Sequence, residues 1–503
     1  MSSFDITLTN PITDWKYVSE GGATIVFSYI GPSNPSFDGM VLRLRKQPNV
    51  PVGVRDSDSD SSSSDSDGEE SEDEDPSISF QRQCMSRLIP KEHLPRLQST
   101  LLRMDPVRSI SVDEKTGVYT YPYQDEKKRK MPGSYPIHGP PHIHSNRWAR
   151  ALAKAHEHER PENRKRTGGV DVHKHKGVLA TDLIGGNGER VSVEIKVAQM
   201  VLPTQSNLPL TTNSRDSKHH PNNNIETKPT HHAQGLAAHG YCPLDLFSAD
   251  EERVREALGA LYDAWEATEG KVNNFKVFLG GKLLKVGEKH LLWDKNEADE
   301  KGDSDLRMAF ISALVPLLTR TPALQVLNRL QRTLDMLDVE GLKRVWEAFH
   351  GEAERISELG EGMEEPTIDE WMGFIDRYLD QMQTREAGRY TFLPGPLPSV
   401  EERCTYTEPQ LRSFLLAYLL SATFKDCSVM VRMGRLRLGG DNDEVEVDPR
   451  NVTIIDLDPK SMTRLRKWEV LDGEIVREYE RLVGESEGER KVCVDAFGGG
   501  RRV

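Results

Sequence analysis

Apolar and polar positions divide the chain into a strand-rich beginning and a helix-rich remainder. Over residues 14–46 both flanks of Gly21-Gly22 alternate or run apolar, and Met40-Val-Leu-Arg-Leu-Arg-Lys46 follows a Pro/Ser/Asn turn. That pattern predicts strand, glycine turn, strand, turn, strand. Gln81–Arg108 sets Leu88, Ile89, Leu94, Leu97, Leu101 and Leu102 among basic residues and predicts an amphipathic helix. Gly177–Leu183 and Val191–Lys196 read as two strands around a turn at Gly185–Gly188. Ser248 is placed to cap a helix over Ala249–Thr268, and Asn273–Phe278 enters a further strand before Gly280-Gly281. Helical periodicity then recurs at Leu306–Leu318, Pro322–Leu337, Ile368–Met382 and Pro409–Leu420. Two β-branched or apolar stretches, Val429–Met433 and Val452–Ile455, predict a late hairpin turned at Gly439–Asn442. Thr463–Arg481 is basic and then amphipathic, and the tail with Gly498–Gly500 is expected to fray. The expected class is α+β, in two or three domains for 503 residues. The boundaries fall near 1–183, 184–483 and a tail over 484–503.

Charge changes this picture at one place. The formal net charge is −14, but eleven acids and no Lys or Arg lie within Asp56–Asp75. Most of the acidity therefore belongs to one segment, and the remaining surface is open to an anionic substrate. Residues 52–78 are too polar to bury a core and are expected to form a disordered insert. Nucleic acid is repelled there, so none is expected as a partner. Lys127–Arg166 is rich in Pro, His, Lys and Arg, and is expected to be a solvated basic linker. Its His138, His142, His144, His156 and His158 lack the spacing of a metal site. Five scattered cysteines suggest no disulfide framework. No window of about 18 apolar residues suits a membrane span, and the first residues lack a leader pattern. The chain therefore reads as soluble and intracellular, with no membrane partner.

Candidate chemistry gathers at the late hairpin. Asn451–Lys460 reads Asn-Val-Thr-Ile-Ile-Asp-Leu-Asp-Pro-Lys, which delivers Asp456 and Asp458 at a strand end. Mg²⁺ takes one or two such carboxylates and fills its other positions with water and phosphate oxygens. Asp426, in Lys425-Asp426-Cys427-Ser428, stands at the hairpin's entrance. Kinase-like phosphotransferases keep this order: an Asp that orients or deprotonates the hydroxyl, then a hairpin, then an Asp on Mg²⁺. Surface acids on an ordinary hairpin give the same spacing. Gly21-Gly22, with Arg43, Arg45 and Lys46 on the third strand, is likewise either a plain hairpin turn or a grip on ATP phosphates. Lys196, Asn273, Asn274 and Lys276 supply donors suited to phosphates and hydroxyls.

These motifs in this order resemble the fungal inositol-pentakisphosphate 2-kinase family over most of the chain. The resemblance rests on Glu20-Gly-Gly-Ala-Thr-Ile-Val26, Leu42-Arg-Leu-Arg-Lys46, Glu194-Ile-Lys196, Cys242-Pro-Leu-Asp-Leu-Phe-Ser248, Asn273-Asn-Phe-Lys276, Lys425-Asp-Cys-Ser428 and Ile455-Asp-Leu-Asp-Pro-Lys460. It implies a two-lobed kinase-like fold, with a β-rich first lobe and a larger, mostly helical second lobe carrying the catalytic hairpin. It implies transfer of the ATP γ-phosphoryl group, with Mg²⁺, to the 2-hydroxyl of inositol 1,3,4,5,6-pentakisphosphate, giving the hexakisphosphate, phytate. By that resemblance Gly21, Gly22, Ala23 and Arg43 hold ATP, Asp426 is catalytic, and Asp456 and Asp458 hold the metal. Lys196, Asn273, Asn274, Lys276, Lys460 and Arg464 contact the substrate. A monomer in the nucleus or cytoplasm is expected, with residence in the nucleus resting on the resemblance. The alternative is a degenerate kinase-fold protein that binds inositol phosphates or ATP without turnover.

The chain departs from the family at Val197–Val201, where Pro-Lys-Trp usually follows Glu-Ile-Lys and a Cys-x-x-Cys segment comes later. Codons for Pro-Lys-Trp read two bases late can give Gln-Met-Val, the residues at 199–201. Residues 197 to about 240 are therefore expected to be read out of frame. Sequencing the transcript checks this. Restoration of Pro-Lys-Trp is the expected result, and an in-frame match to the present residues overturns it. Trp468 stands where the family tends to place Tyr.

Overall fold

The computed structural model describes residues 4–5, 11–21, 23–48, 75–102, 111–113, 118–120, 146–174, 176–185, 190–197, 241–294, 303–335, 337–350, 358–383, 407–436 and 447–474. Gly22, the acidic run as far as residue 74, His138, His142 and His144, the atypical segment 198–240, the Gly439–Asn442 turn and the glycine tail lie outside them. The chain forms two compact units, residues 1–75 with 96–188, and residues 76–95 with 189–503. Mixed helices and largely antiparallel sheets make the fold α+β, as expected.

The first unit is built on a seven-stranded sheet. Its strands are β1 (Phe4–Asp5), β2 (Trp15–Glu20), β3 (Thr24–Tyr29), β4 (Met40–Pro48), β5 (Leu97–Leu101), β8 (Gly168–Val170) and β9 (Lys176–Thr181); β6 (Ser111–Asp113) and β7 (Val118–Thr120) form a separate hairpin. The order is β1-β5-β9-β4-β3-β2, with β8 paired to the far end of β4. Leu42 and Leu44 of β4 are buried beside Trp15, Ile25 and Phe27, so the alternating Arg43 and Arg45 belong to the opposite face. The solvated linker expected before residue 166 is instead helical over α1 (Arg147–His156) and α2 (Glu162–Thr167). Asn146 caps α1 by accepting from Ala149 N–H at 2.9 Å, and Ala149 and Leu152 are buried in the sheet's core.

The helix expected over residues 81–108 is also corrected. A helix opens at Pro76, passes through a π turn at Gln81–Met85 and ends at Leu88, ahead of Pro90 and Pro95, while Leu97–Leu101 is strand β5. The expected insert at 52–78 thus gives way to helix at Pro76.

The second unit centres on a five-stranded antiparallel sheet, β12-β11-β10-β13-β14. These strands are β10 (Val191–Lys196), β11 (Phe275–Leu279), β12 (Lys282–Leu283), β13 (Ser428–Met433) and β14 (Val452–Ile455). β9 and β10 were expected to pair around one turn, yet they join different sheets. The predicted late hairpin is present as β13 and β14, with Ser428 opposite Ile455 and Val431 opposite Val452. Around it lie α3 (Glu251–Ala267), α4 (Asp303–Thr319), α5 (Ala323–Leu334), α6 (Asp338–His350), α7 (Ile368–Gln383) and α8 (Glu408–Lys425). Asp250, rather than Ser248, caps α3 by accepting from Glu252 and Arg253 N–H. Helix α8 is buried from Phe414 through Lys425, so it threads the core and ends at Asp426. No single described helix is long and apolar enough to cross a membrane.

Candidate active site

Asp426 caps the C-terminus of α8, its N–H bonded to the Ala422 carbonyl at 3.1 Å. The next residue but one opens β13, so the carboxylate is fixed between a rigid helix and a central strand. Lys460 Nζ donates to Asp426 Oδ2 at 2.7 Å, and Lys196 Nζ lies 3.1 Å from Oδ1. Burial raises the Asp426 pKa, but the hydrogen bond and charge of Lys460, with those of Lys196, outweigh it and hold the carboxyl below its ordinary value. About half of the side chain remains exposed, at 48%, so this acid is ionised and reachable. Behind it Lys425 is buried in an ion pair with Asp335 and sits 5.4 Å from the Tyr418 ring centroid. Cys427 is fully buried, and burial pushes its thiol pKa up, which makes it a core residue without nucleophilic character.

Two lysines hold this acid, and further donors lie on the adjoining strand β11 and in the turn after Lys460. Lys196 ends β10 opposite Ser428, and its N–H bonds the Asn274 carbonyl at 3.0 Å, which brings the start of β11 beside it. Glu194 shares Lys196's face of the strand and accepts from Lys276 Nζ at 3.3 Å and Ser428 Oγ at 3.2 Å. Among described residues, Asn273 and Arg464 make no side-chain hydrogen bond or ion pair, and both are exposed. Ser461 caps the turn Met462–Arg464, fixing Arg464 just beyond Lys460. Asp456 and Asp458 follow β14 with exposed side chains. Asp456 has φ +62°, a left-handed conformation that few non-glycine residues adopt and that ends the strand abruptly. The Asp458 carbonyl accepts from Thr423 Oγ1 at 3.3 Å, tying the segment to α8.

In the first unit, Gly21 N–H bonds the Thr24 carbonyl at 2.9 Å and Lys46 N–H bonds the Ala23 carbonyl at 2.8 Å, so the turn is closed and pinned to β4. Arg43 is half-buried and unpaired among described residues. Lys46, read with the basic strand as a phosphate grip, is instead buried against Glu20 at 2.7 Å.

The sequence relatives give this arrangement its family. The model of the family described as inositol-pentakisphosphate 2-kinase matches residues 17–474. The chain belongs to that family. An inositol-pentakisphosphate 2-kinase of Cryptococcus neoformans var. neoformans is 26% identical over 486 residues, covering 92% of each chain. An Arabidopsis thaliana protein of the same name is 25% identical over 504 residues, covering 93% of this chain and 94% of its own. In this member of the 2-kinase family every candidate site residue falls within the matched span.

Asp456 and Asp458 fit a hard divalent ion: both are carboxylates at an exposed strand end, and Mg²⁺ needs few protein ligands when phosphates supply the rest. Among the described residues no group of three or more His, Cys, Asp or Glu is placed to hold a metal ion by itself. Sequence reasoning missed the buried Lys425–Asp335 pair and the ion cluster of Glu20. Lysine at the end of an otherwise apolar helix was the available signal for the first.

Proposed function

We propose that this protein transfers the γ-phosphoryl group of ATP to the 2-hydroxyl of inositol 1,3,4,5,6-pentakisphosphate, giving the hexakisphosphate. The observation that carries the reading is one ionised carboxylate, Asp426, held between Lys196 and Lys460, with the start of β11 bonded beside Lys196. A substrate with many phosphates needs several cations at short range, and a hydroxyl acceptor needs a base or orienting acceptor among them. Asp426 would accept the hydroxyl hydrogen bond and take its proton as the new O–P bond forms. Lys196, Lys276, Lys460 and Arg464 would hold phosphates, and Asn273 and Asn274 would fix the ring's orientation. The two units are read as the lobes of a kinase-like fold.

The glycine turn and Arg43 are assigned to ATP. A Cβ placed at Gly21 meets nothing within 4 Å, and its φ is ordinary, so internal packing does not call for glycine there. Close approach of a phosphate to the backbone supplies the reason. Asp456 and Asp458 would hold Mg²⁺, which when bound offsets the charge of the phosphoryl group in transfer.

Incubating the purified full chain with Mg-ATP and the pentakisphosphate tests the reading. Hexakisphosphate is the expected product. Binding of both compounds without product would make this a non-catalytic binder, and product from a different inositol phosphate only would reassign the substrate.

A further inference from the structure

The first unit contains a charge cluster that the phosphate-transfer reading does not use. Glu20, the residue before Gly21, is 1% exposed at its side chain, Lys46 2% and Arg160 5%. Arg160 Nε donates to Glu20 Oε1 at 3.0 Å and its Nη2 to Oε2 at 2.9 Å, a two-pronged grip, while Lys46 Nζ donates to Oε2 at 2.7 Å. Arg160 also donates to the Gly168 carbonyl at 2.7 Å and to Glu157 at 2.9 Å, and Lys46 reaches Thr167 Oγ1 at 3.3 Å. One carboxylate thereby joins the root of the glycine turn to β4, to the start of β8 and to the segment leading into α2. Burial raises the Glu20 pKa, but the hydrogen bonds from Arg160 and Lys46 outweigh it, so the acid stays charged inside the cluster.

Buried charges are retained at a desolvation cost, and they then fix geometry because few other arrangements satisfy them. Lys46 N–H bonds Ala23 on the far side of the turn, so the same residue grips the turn through its backbone and its root through its side chain. We propose that Glu20 is a positioning residue for the nucleotide, clamped by Lys46 and Arg160, and that Lys46 serves the turn rather than the phosphates. This rests on the assignment of ATP to the glycine turn. Arg45 is paired with Asp75 at 3.0 Å, so Arg43, on the opposite face of β4 from Lys46 and unpaired among described residues, is left as that strand's phosphate ligand.

The test uses the full chain once its hexakisphosphate production is in hand, so failure of the assigned reaction shows in the unaltered protein before any variant is made. Glu20→Asp keeps the charge balance but shortens the reach. It should raise KM for ATP about tenfold or more while leaving KM for the pentakisphosphate within about twofold. Lys46→Met leaves the Glu20–Arg160 pair intact and should raise KM for ATP less than about threefold, against about thirtyfold or more for Arg43→Ala. Glu20→Gln strands two buried cations and is expected to fold poorly, so Glu20→Gln with Lys46→Met is the balanced variant and should behave like Glu20→Asp. Wild-type KM for ATP in Glu20→Asp and in the double variant would overturn the positioning role. A loss in Lys46→Met equal to that of Arg43→Ala would make Lys46 a ligand and overturn the second clause.

Discussion

Asp426→Asn is expected to lower turnover of the pentakisphosphate by about 10²–10⁴-fold, the usual worth of a positioned general base. ATP affinity should be unchanged, since the residue lies at the end of α8, apart in sequence from the glycine turn. The KM for the inositol phosphate should not rise. In the structure the carboxylate engages Lys196 and Lys460, at 3.1 and 2.7 Å, the two cations proposed to hold phosphates. Removing its charge frees both cations, so substrate binding holds or tightens while chemistry is lost. This split between kcat and KM separates a chemical role from a scaffold role. A fall in kcat/KM carried by KM would make Asp426 a holder of lysines, and normal turnover would remove it from the reaction.

The same pair sets the sign of a pH effect. The folded Asp426 pKa is depressed, because the lysines outweigh burial. Its contribution to stability is therefore present above the unfolded value of about 3.9 and is lost as pH falls through the folded value.

Where sequence signals were local, they were enough. The β-branched run Val452–Ile455 and the acids after it lie within ten residues, and their hairpin with β13 is present. The strands flanking the glycine turn pair as read, with Glu20 opposite Ile25. Where the determinant was distant, local pattern failed. Apolar spacing over residues 94–102 suited a helix or a strand, and pairing with β9 selected the strand. β9 and β10 are neighbours along the chain, yet β10 pairs Val193 with Val277 on one side and Val431 on the other. The site divides in the same way. Donors and acids at strand ends were legible as residue types, whereas the partners that fix them lie far off: Asp335 is 90 residues from Lys425, and Arg160 is 140 from Glu20. The basic segment before residue 166 looked like linker because its charges dominate its composition, although Asn146, Ala149 and Leu152 suffice to dock α1.

Asp456→Asn is the second large effect, and the backbone makes it a clean one. At φ +62° most side chains are strained, whereas Asn and Asp tolerate this region with little cost. Asn therefore keeps both the strand's sharp end and the side chain's volume while deleting the charge. Stability measured by denaturant should fall by no more than about 1 kcal/mol, the worth of a single exposed polar or ionic contact. Turnover should fall by about 10²–10³-fold, the loss typical when one preorganised electrostatic contact to the transferring group is removed. The Mg²⁺ concentration for half-maximal rate should rise with it, and added Mg²⁺ should recover part of the loss. Asp456→Ala would confuse the outcome by straining the turn, since alanine at positive φ destabilises regardless of any metal. Asp458→Asn on the next strand-end acid then separates one carboxylate ligand from two. If Asp456→Asn kept both the parent rate and the parent Mg²⁺ dependence, the left-handed acid at the end of β14 would be a turn residue only, and the metal would have to be sought elsewhere.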